Sequence, residues 1–435
     1  MSRKVKKKKR KNKKKIIILV IILFLLLIIG TILVLHVIKD IKIEEQHNQL
    51  QKEISNHYNE FVKTMKEAII YKLENGNYIE EGKIGKEQEL SLKEIEITYE
   101  TEYFEIISFE DSYYIHYQDI EKINKLSTVS DRYKKYIVFN ENIITKDITN
   151  FYDESNNLVY SLNKSFNLPI IIKDTEKYGV EFNQRLLYIN KEDVKEIKNN
   201  KNTNENEAKK IRTFAYHRIY DPKTEKCNEV ICHTETQFES HIKYLYDNNF
   251  FSLTTKELEM FIDNKIRLPK KSVVLTIDDG TLVKRAIPIL EKYKLNASLF
   301  LVTSRFNKQD FIDFTSDYLE LHSHTHNMHK AGQCAGYGTQ GGGILCLKES
   351  EVLEDLKKSR EILNGATAFC YPFYDYSQRA INLLKEAGFE MAFAGLLNAK
   401  GYSYVGTNKM LIPRVTILSY TSFNEFKNYV SYGFN

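Results

Sequence analysis

Between residues 16 and 38 the chain has no charged side chain. As a helix those twenty-three residues rise about 34 Å, against a hydrocarbon core of ~30 Å, so a segment confined to water is not expected there. Beyond residue 15 the chain has no basic excess either. Residues 1–15 hold 11 of the 63 basic side chains, which leaves 52 against 58 acidic ones, a net of about −6. A nucleic-acid partner is therefore not expected, and the lysine run fused to an apolar span reads as its cytoplasmic flank. A cleaved secretory signal is the rival reading, but the span exceeds the usual core of ~7–15 residues, and no small-residue cleavage site follows it. The expectation is an uncleaved single-pass anchor in the cell membrane, with residues 1–15 as a cytoplasmic tail and everything after Lys39 outside the cell.

Cysteine is scarce as well, with five in 435 residues. Outside the cytosol disulfides persist, and the spacing fits two local bridges, Cys227 with Cys232 and Cys334 with Cys346, leaving Cys370 as a buried thiol. Five unpaired, packed thiols are the alternative, because sequence does not fix connectivity.

After the span of 16–38, residues 41–70 place Leu50, Ile54, Phe61, Met65 and Ile69 near helical spacing, which predicts a helical stalk. From 71 to 197 the chain turns to short alternating runs rich in Tyr, Ile, Val and Phe, the pattern of small antiparallel β-rich modules. An internal repeat is visible there: Tyr114-Ile115 with Asp119-Ile120-Glu121-Lys122-Ile123 recurs seventy-four residues on as Tyr188-Ile189 with Asp193-Val194-Lys195-Glu196-Ile197. Two related modules, suited to holding a cell-wall polymer, follow from that reading. Residues 198–210 are polar and read as a linker.

Residues 211–435 alternate strand and helix patterns. Strands are expected at 212–217, 272–277, 297–302, 318–322, 366–371, 390–394 and 411–417, and helices at 235–247, 282–294, 349–363 and 377–387. Such repeated units predict an α/β barrel or doubly wound sheet, with chemistry at the strand C-terminal ends. Asp278 and Asp279 close one strand-like run. A cluster of His322, His324, His326 and His329 follows another about forty-five residues later. Adjacent carboxylates and imidazoles at strand ends suit a metal hydrolase. In an extended strand His322, His324 and His326 share a side, so His322 with His326 is one candidate ligand pair.

These residues resemble the NodB-type polysaccharide deacetylases. Leu275-Thr276-Ile277-Asp278-Asp279-Gly280 is similar to the family's first motif, T-F-D-D-G, with Ile277 in place of Phe. Ser323-His324-Thr325 resembles its second. The partner histidine commonly follows at a spacing of four, where this chain has Met328; the subgroup acting on poly-N-acetylglucosamine uses five, which falls on His329. Thr213-Phe214-Ala215-Tyr216-His217-Arg218-Ile219, Cys370-Tyr371-Pro372-Phe373 and Leu411-Ile412-Pro413-Arg414-Val415 resemble other strands of that subgroup. Two family features are absent. No histidine follows His329, and the arginine that often precedes the Tyr-Pro strand is missing.

The resemblance implies a deformed (β/α) barrel, preceded here by the transmembrane helix and β-rich modules. It implies a hydrolase of carbon–nitrogen bonds in linear amides, acting on a cell-envelope glycan, either peptidoglycan or poly-N-acetylglucosamine. It favours Asp279, His324 and His329 as ligands of one divalent metal, zinc by their one-oxygen, two-nitrogen donor set. Asp278 is then the general base, His217 the acid in place of the absent late histidine, and Arg414 the stand-in for the missing arginine. Two other classes fit the same residues: a catalytically inactive glycan- or wall-binding protein, and a metal hydrolase of another acyl substrate. The six glycines of residues 332–343 lack the lysine and hydroxyl residue of a phosphate loop and suggest a flexible rim pinned by Cys334 and Cys346.

Overall fold

The computed structural model of the chain describes residues 2–108, 111–126, 131–200, 205–395 and 401–431. The chain folds as two compact units. One comprises Met1–Val129, Lys146–Ser165 and Glu181–Leu187; the other comprises Ser130–Thr145, Phe166–Val180 and Tyr188–Asn435.

The first unit begins with one helix, Ser2–His57. Among the described residues it is the one helix long and apolar enough to cross a membrane, and its aliphatic side chains from residue 16 to 38 are exposed, Leu35 being 66% exposed. The helix ends at His57, before the end of the stalk expected over 41–70. Residues 61–70 instead contribute to two strands, Phe61–Thr64 and Ala68–Glu74, because burial there follows a period of two: Val62, Thr64, Ala68 and Ile70 are buried while Met65 is exposed. The helix end is tied down where His57 Nδ1 donates to Ile120 O at 2.6 Å and Asn59 Nδ2 to Ile123 O at 2.6 Å. Val62, Leu90, Phe104, Ile115, Ile120, Phe151 and Val159, all fully buried, make this unit's core.

The two copies of the repeated motif adopt the same succession of elements. In the first, Tyr113–His116 leads through the 3-10 turn Tyr117–Asp119 into Ile120–Ile123, which pairs antiparallel with Phe61–Thr64; that strand has Glu89–Ser91 on its other side. In the second, Arg185–Asn190 leads through Lys191–Asp193 into Val194–Asn199, which pairs antiparallel with Glu141–Thr145, flanked by Asn167–Pro169. The strand to Asn199 overruns the start of the expected linker, of which residues 201–204 lie outside the described residues. The rest of that segment is held rather than free, since Ala208 is buried and its N–H donates to Leu268 O at 2.8 Å.

The second unit is a curled α/β sheet. Its strands run in the order Met391–Phe393, Ala368–Cys370, Leu319–Ser323, Ala297–Leu301, Ser272–Asp279 and Ile211–Tyr216, all parallel, with Tyr402–Ser403 antiparallel at the end. Residues 412–417 join the two sides of this sheet: Ala394 N donates to Ile412 O at 2.8 Å, and Val415–Thr416 pairs in parallel with Phe214 and Ala215. Helices Glu235–Asp247, Ala286–Tyr293, Glu349–Ile362 and Gln378–Glu386 lie where the periodicity places them. Three further helices among the described residues, Thr255–Ile262, Lys308–Asp313 and Phe423–Ser431, were not expected; the first is started by a capping box between Thr254 and Glu257. Val273, Leu275 and Ile277 pack with Leu299, Leu245 and Leu290 in the main core of this unit. The cysteines form the bridges Cys227–Cys232 and Cys334–Cys346, and Cys370 is free and buried.

Arg132 ties the segment before Thr145 into this unit. Its guanidinium donates to both oxygens of buried Glu257, to Asn296 Oδ1 at 2.5 Å and to Ser252 O at 2.7 Å, and it lies over the Phe251 ring. Arg132→Ala leaves the Glu257 carboxylate short of its main partner, and a loss of about 2–3 kcal/mol is expected, toward the low end for a buried pair because Arg132 is partly exposed. Urea denaturation followed by circular dichroism checks this; an unchanged midpoint would show that Tyr136, which also donates to Glu257 at 2.9 Å, suffices alone.

Candidate active site

The strand Ser272–Asp279 is buried along its whole length, and its alternation sorts the side chains. Val273, Leu275 and Ile277 point into the core with the helices, so Thr276 and Asp278 share the opposite face. Asp279 then breaks the alternation: its φ is +71° and that of Gly280 is +80°. A Cβ on Gly280 would lie 2.3 Å from Leu301 Cδ2 and 2.7 Å from Phe306 Cζ, so only glycine fits this turn. The left-handed step aims two adjacent carboxylates at different partners.

Asp278 faces Arg414. The guanidinium donates from Nη1 to Oδ1 at 2.8 Å and from Nη2 to Oδ2 at 2.9 Å, with both residues essentially unexposed. Arg414 also donates to Thr276 Oγ1 and to Ala394 O at 3.1 Å each, and to Cys370 Sγ at 2.9 Å. Burial works against the Asp278 charge, but Arg414, with His324 and His217 adding to it, holds the carboxyl well below its ordinary range. Burial pushes the Cys370 thiol well up, so it stays protonated and donates to Asp278 Oδ2 at 3.4 Å.

Asp279 faces two imidazoles. Its Oδ1 lies 3.2 Å from His329 Nε2 and 3.8 Å from His324 Nε2, and this buried oxygen has no hydrogen-bond partner among the described residues. His324 Nδ1 donates to Cys370 O at 2.8 Å, which leaves the Nε2 lone pair directed toward Asp279. Burial lowers the pKa of both imidazoles to about 4, so they are neutral and free to act as ligands near pH 7. The ligand atoms of Asp279, His324 and His329 lie within 4.8 Å of one another. An orphaned carboxylate oxygen facing two neutral ring nitrogens fits a divalent cation. Asp278, His324 and Cys370 also lie that close, but there both carboxylate oxygens accept from Arg414 and the thiol is protonated.

His217 follows strand Ile211–Tyr216. Its Nε2 is 3.8 Å from Asp278 Oδ2, and its buried Nδ1 has no partner among the described residues. The other two histidines of the cluster point elsewhere. His322 Nε2 meets Thr255 Oγ1 at 3.2 Å, and His326 Nδ1 meets Thr303 Oγ1 at 2.9 Å. The structure therefore brings Asp278, Asp279, His217, His324, His329 and Arg414 together and leaves His322 and His326 out.

Several further residues shape the site. Asp355, in helix Glu349–Ile362, accepts from His326 N at 2.6 Å and Asn327 N at 2.7 Å and so fixes the loop that turns His329 inward. Phe373, at φ +57°, packs its ring 4.5 Å from that of His329. The glycine-rich stretch is not a loose rim. Besides its disulfide, it wraps Asp375, whose carboxylate accepts from the Thr339 and Gly342 amides, and a Cβ on Gly338 would lie 2.3 Å from Asp375 Oδ1.

Residues 265–392 match the family model described as polysaccharide deacetylase. Over 203 residues the chain is 27% identical to a poly-beta-1,6-N-acetyl-D-glucosamine N-deacetylase of Staphylococcus aureus, an alignment covering 42% of this chain and 67% of that one. The protein of the same name from Staphylococcus epidermidis is 27% identical over 181 residues, covering 37% and 60%. Among solved structures, a de-N-acetylase from Aggregatibacter actinomycetemcomitans is 21% identical, with a TM-score of 0.44 over 51% of this chain and 99% of that one. Residues 265–392, which include Asp278, Asp279, His324 and His329, are thus similar to the polysaccharide deacetylases, a family of hydrolases.

Proposed function

We propose that this chain is a membrane-anchored, metal-dependent enzyme that removes N-acetyl groups from N-acetylglucosamine residues of a cell-envelope polysaccharide. One observation carries the reading: two adjacent aspartates are divided between two tasks, Asp278 neutralised by Arg414 and Asp279 presenting to two neutral histidines an oxygen that accepts no hydrogen bond, with Arg305 Nη1 3.7 Å from it. The Staphylococcus relatives are named for poly-beta-1,6-N-acetyl-D-glucosamine, which favours that polymer over peptidoglycan as substrate.

Asp279, His324 and His329 would hold one divalent ion, zinc suiting the donor set. When bound, such an ion supplies Lewis acidity and a hydroxide-like water at neutral pH. Asp278 accepts the proton from the attacking water. Arg414 guarantees that this carboxylate is ionised but also makes it a weak base, so it holds the proton only briefly. His217, whose ring borders the same carboxylate, donates to the departing sugar amine. Helix Ser2–His57 anchors the enzyme, with its basic end in the cytoplasm and the catalytic unit outside.

The wild-type protein should release free amine from poly-N-acetylglucosamine faster than from peptidoglycan. His324→Ala and His329→Ala should each lose most bound zinc and activity, whereas His322→Ala and His326→Ala, whose rings are engaged by threonines, should keep zinc near one per chain. The reverse outcome would mean that the wrong histidine pair has been assigned. Protease added to intact cells should degrade the chain after Lys39; protection of the catalytic unit would place it inside.

The two proton-transfer roles separate by substrate. Asp278→Asn should retain zinc and lose ~10²- to 10⁴-fold in rate on amide and ester alike, the usual weight of a general base. His217→Ala should lose a similar factor on the amide but recover much of the rate on an activated ester, whose leaving group needs no proton. Equal losses on both substrates in His217→Ala would show that His217 orients the substrate instead.

A further inference from the structure

The first unit carries an aromatic surface that the catalytic reading leaves unused. Four tyrosines and a histidine on neighbouring strands share the solvent face of one sheet: Tyr71 from Ala68–Glu74, Tyr78 from Asn77–Ile84, Tyr103 from Tyr103–Ile106, and Tyr114 and His116 from Tyr113–His116. The pleat places them there, because Phe104, Ile106, Tyr113 and Ile115, which alternate with them, fill the core. Their rings are contiguous. Tyr78 stacks on Tyr103 at 3.9 Å between centroids, Tyr71 meets Tyr103 edge-on at 5.0 Å, Tyr114 meets Tyr78 at 5.2 Å, and His116 meets Tyr103 at 5.2 Å.

Cross-strand aromatic pairs stabilise a sheet by themselves. Two features go beyond that role. None of the four phenol hydroxyls has a hydrogen-bond partner among the described residues, and Tyr78 is 38% exposed, so polar edges and a ring face are open together. Carboxylates also surround the rings. Glu80 lies opposite Tyr71, Glu105 opposite Tyr114, Glu102 precedes Tyr103, and Asp119 follows the His116 turn. Lys93 pairs with Glu105 and Lys66 with Asp119, but among the described residues Glu80 and Glu102 have no ion-pair partner. The surface is aromatic and short of cations.

We propose that this face binds an amino-sugar polymer in its de-N-acetylated, cationic form. Pyranose rings present flat C–H faces to tyrosine, their hydroxyls meet the free phenols, and each ammonium finds both a carboxylate and a π-face. An N-acetylated polymer offers the same rings without the charge. The inference rests on the proposed deacetylase activity in one respect only, that the polymer bound is the enzyme's own product, retained by the unit next to the anchor while catalysis proceeds along the chain.

The test uses the full-length protein in detergent micelles, titrated calorimetrically with a glucosamine oligomer and with its fully N-acetylated counterpart. Tyr78→Ala/Tyr103→Ala removes the platform, and Glu80→Gln/Glu102→Gln keeps its shape while removing the unpaired charges. Each double variant should bind the glucosamine oligomer roughly tenfold more weakly, the scale of losing one cation–π or charge-assisted contact, and both should release acetate from a short N-acetylated oligomer at the wild-type rate. Wild-type protein should prefer the glucosamine oligomer, and added salt should narrow that preference. Unchanged affinity in both variants, or equal affinity of the wild type for the two oligomers, overturns the proposal. Failure of the deacetylase reading shows differently, as absent acetate release from the wild-type protein with patch-dependent binding intact.

Discussion

The ion pair between Asp278 and Arg414 is the constraint on which the rest of the catalytic unit depends. A carboxylate with 2% exposure is tolerable only if its charge is met, since the desolvation of a lone buried ion costs several kcal/mol. Arg414 meets it bidentately and uses its remaining donors on Thr276, Ala394 and Cys370. Because Arg414 lies in the segment that joins the two sides of the curled sheet, the pair also links that closure to the central strand. The sign of its pH dependence follows from the depressed Asp278 pKa. The stabilisation is complete above the unfolded carboxyl value of ~3.9 and is lost only as pH falls below it toward the folded value.

Backbone strain divides the labour between the two aspartates. A strand alone would put Asp279 in the helix-facing core; the left-handed conformation at Asp279 and Gly280 turns it toward His324 and His329 instead. Thr325, Phe373 and Tyr374, which border this centre, also have positive φ, and such conformations, at about 1–3 kcal/mol each, are held by their surroundings. The supports are specific: Asp355 on the histidine loop, Asp375 inside the glycine-rich loop, and Cys370 O on His324.

Much of this was legible in the sequence because the chemistry is local there. The run 272–277 followed by Asp-Asp-Gly states both the strand and the turn that ends it, and His329 is separated from His322 and His326 by spacing together with family resemblance. Helix Thr255–Ile262 was not expected, although the Thr254 and Glu257 of its capping box stand at the spacing that signals a helix start. The bonds of Arg414 were harder to read, since its carboxylate partner lies 136 positions away and only the closed sheet brings them together. Asp355, Arg132 and Cys370 are ordinary residues until the fold gives them partners. The stalk was misread because Phe61, Met65 and Ile69 satisfy a helical period while Val62, Thr64, Ala68 and Ile70 satisfy an extended one, and the core formed with Leu90 and Ile120 decides between them.

The central claim is that the neighbouring carboxylates are not interchangeable: Asp279 belongs to a metal and Asp278 to Arg414. Anomalous diffraction at the zinc edge from crystals of the zinc-loaded protein tests this most directly. A single peak among Asp279 Oδ1, His324 Nε2 and His329 Nε2, with the Asp278–Arg414 pair intact, is the result expected. A peak among Asp278, His324 and Cys370, with Arg414 displaced, would contradict the account.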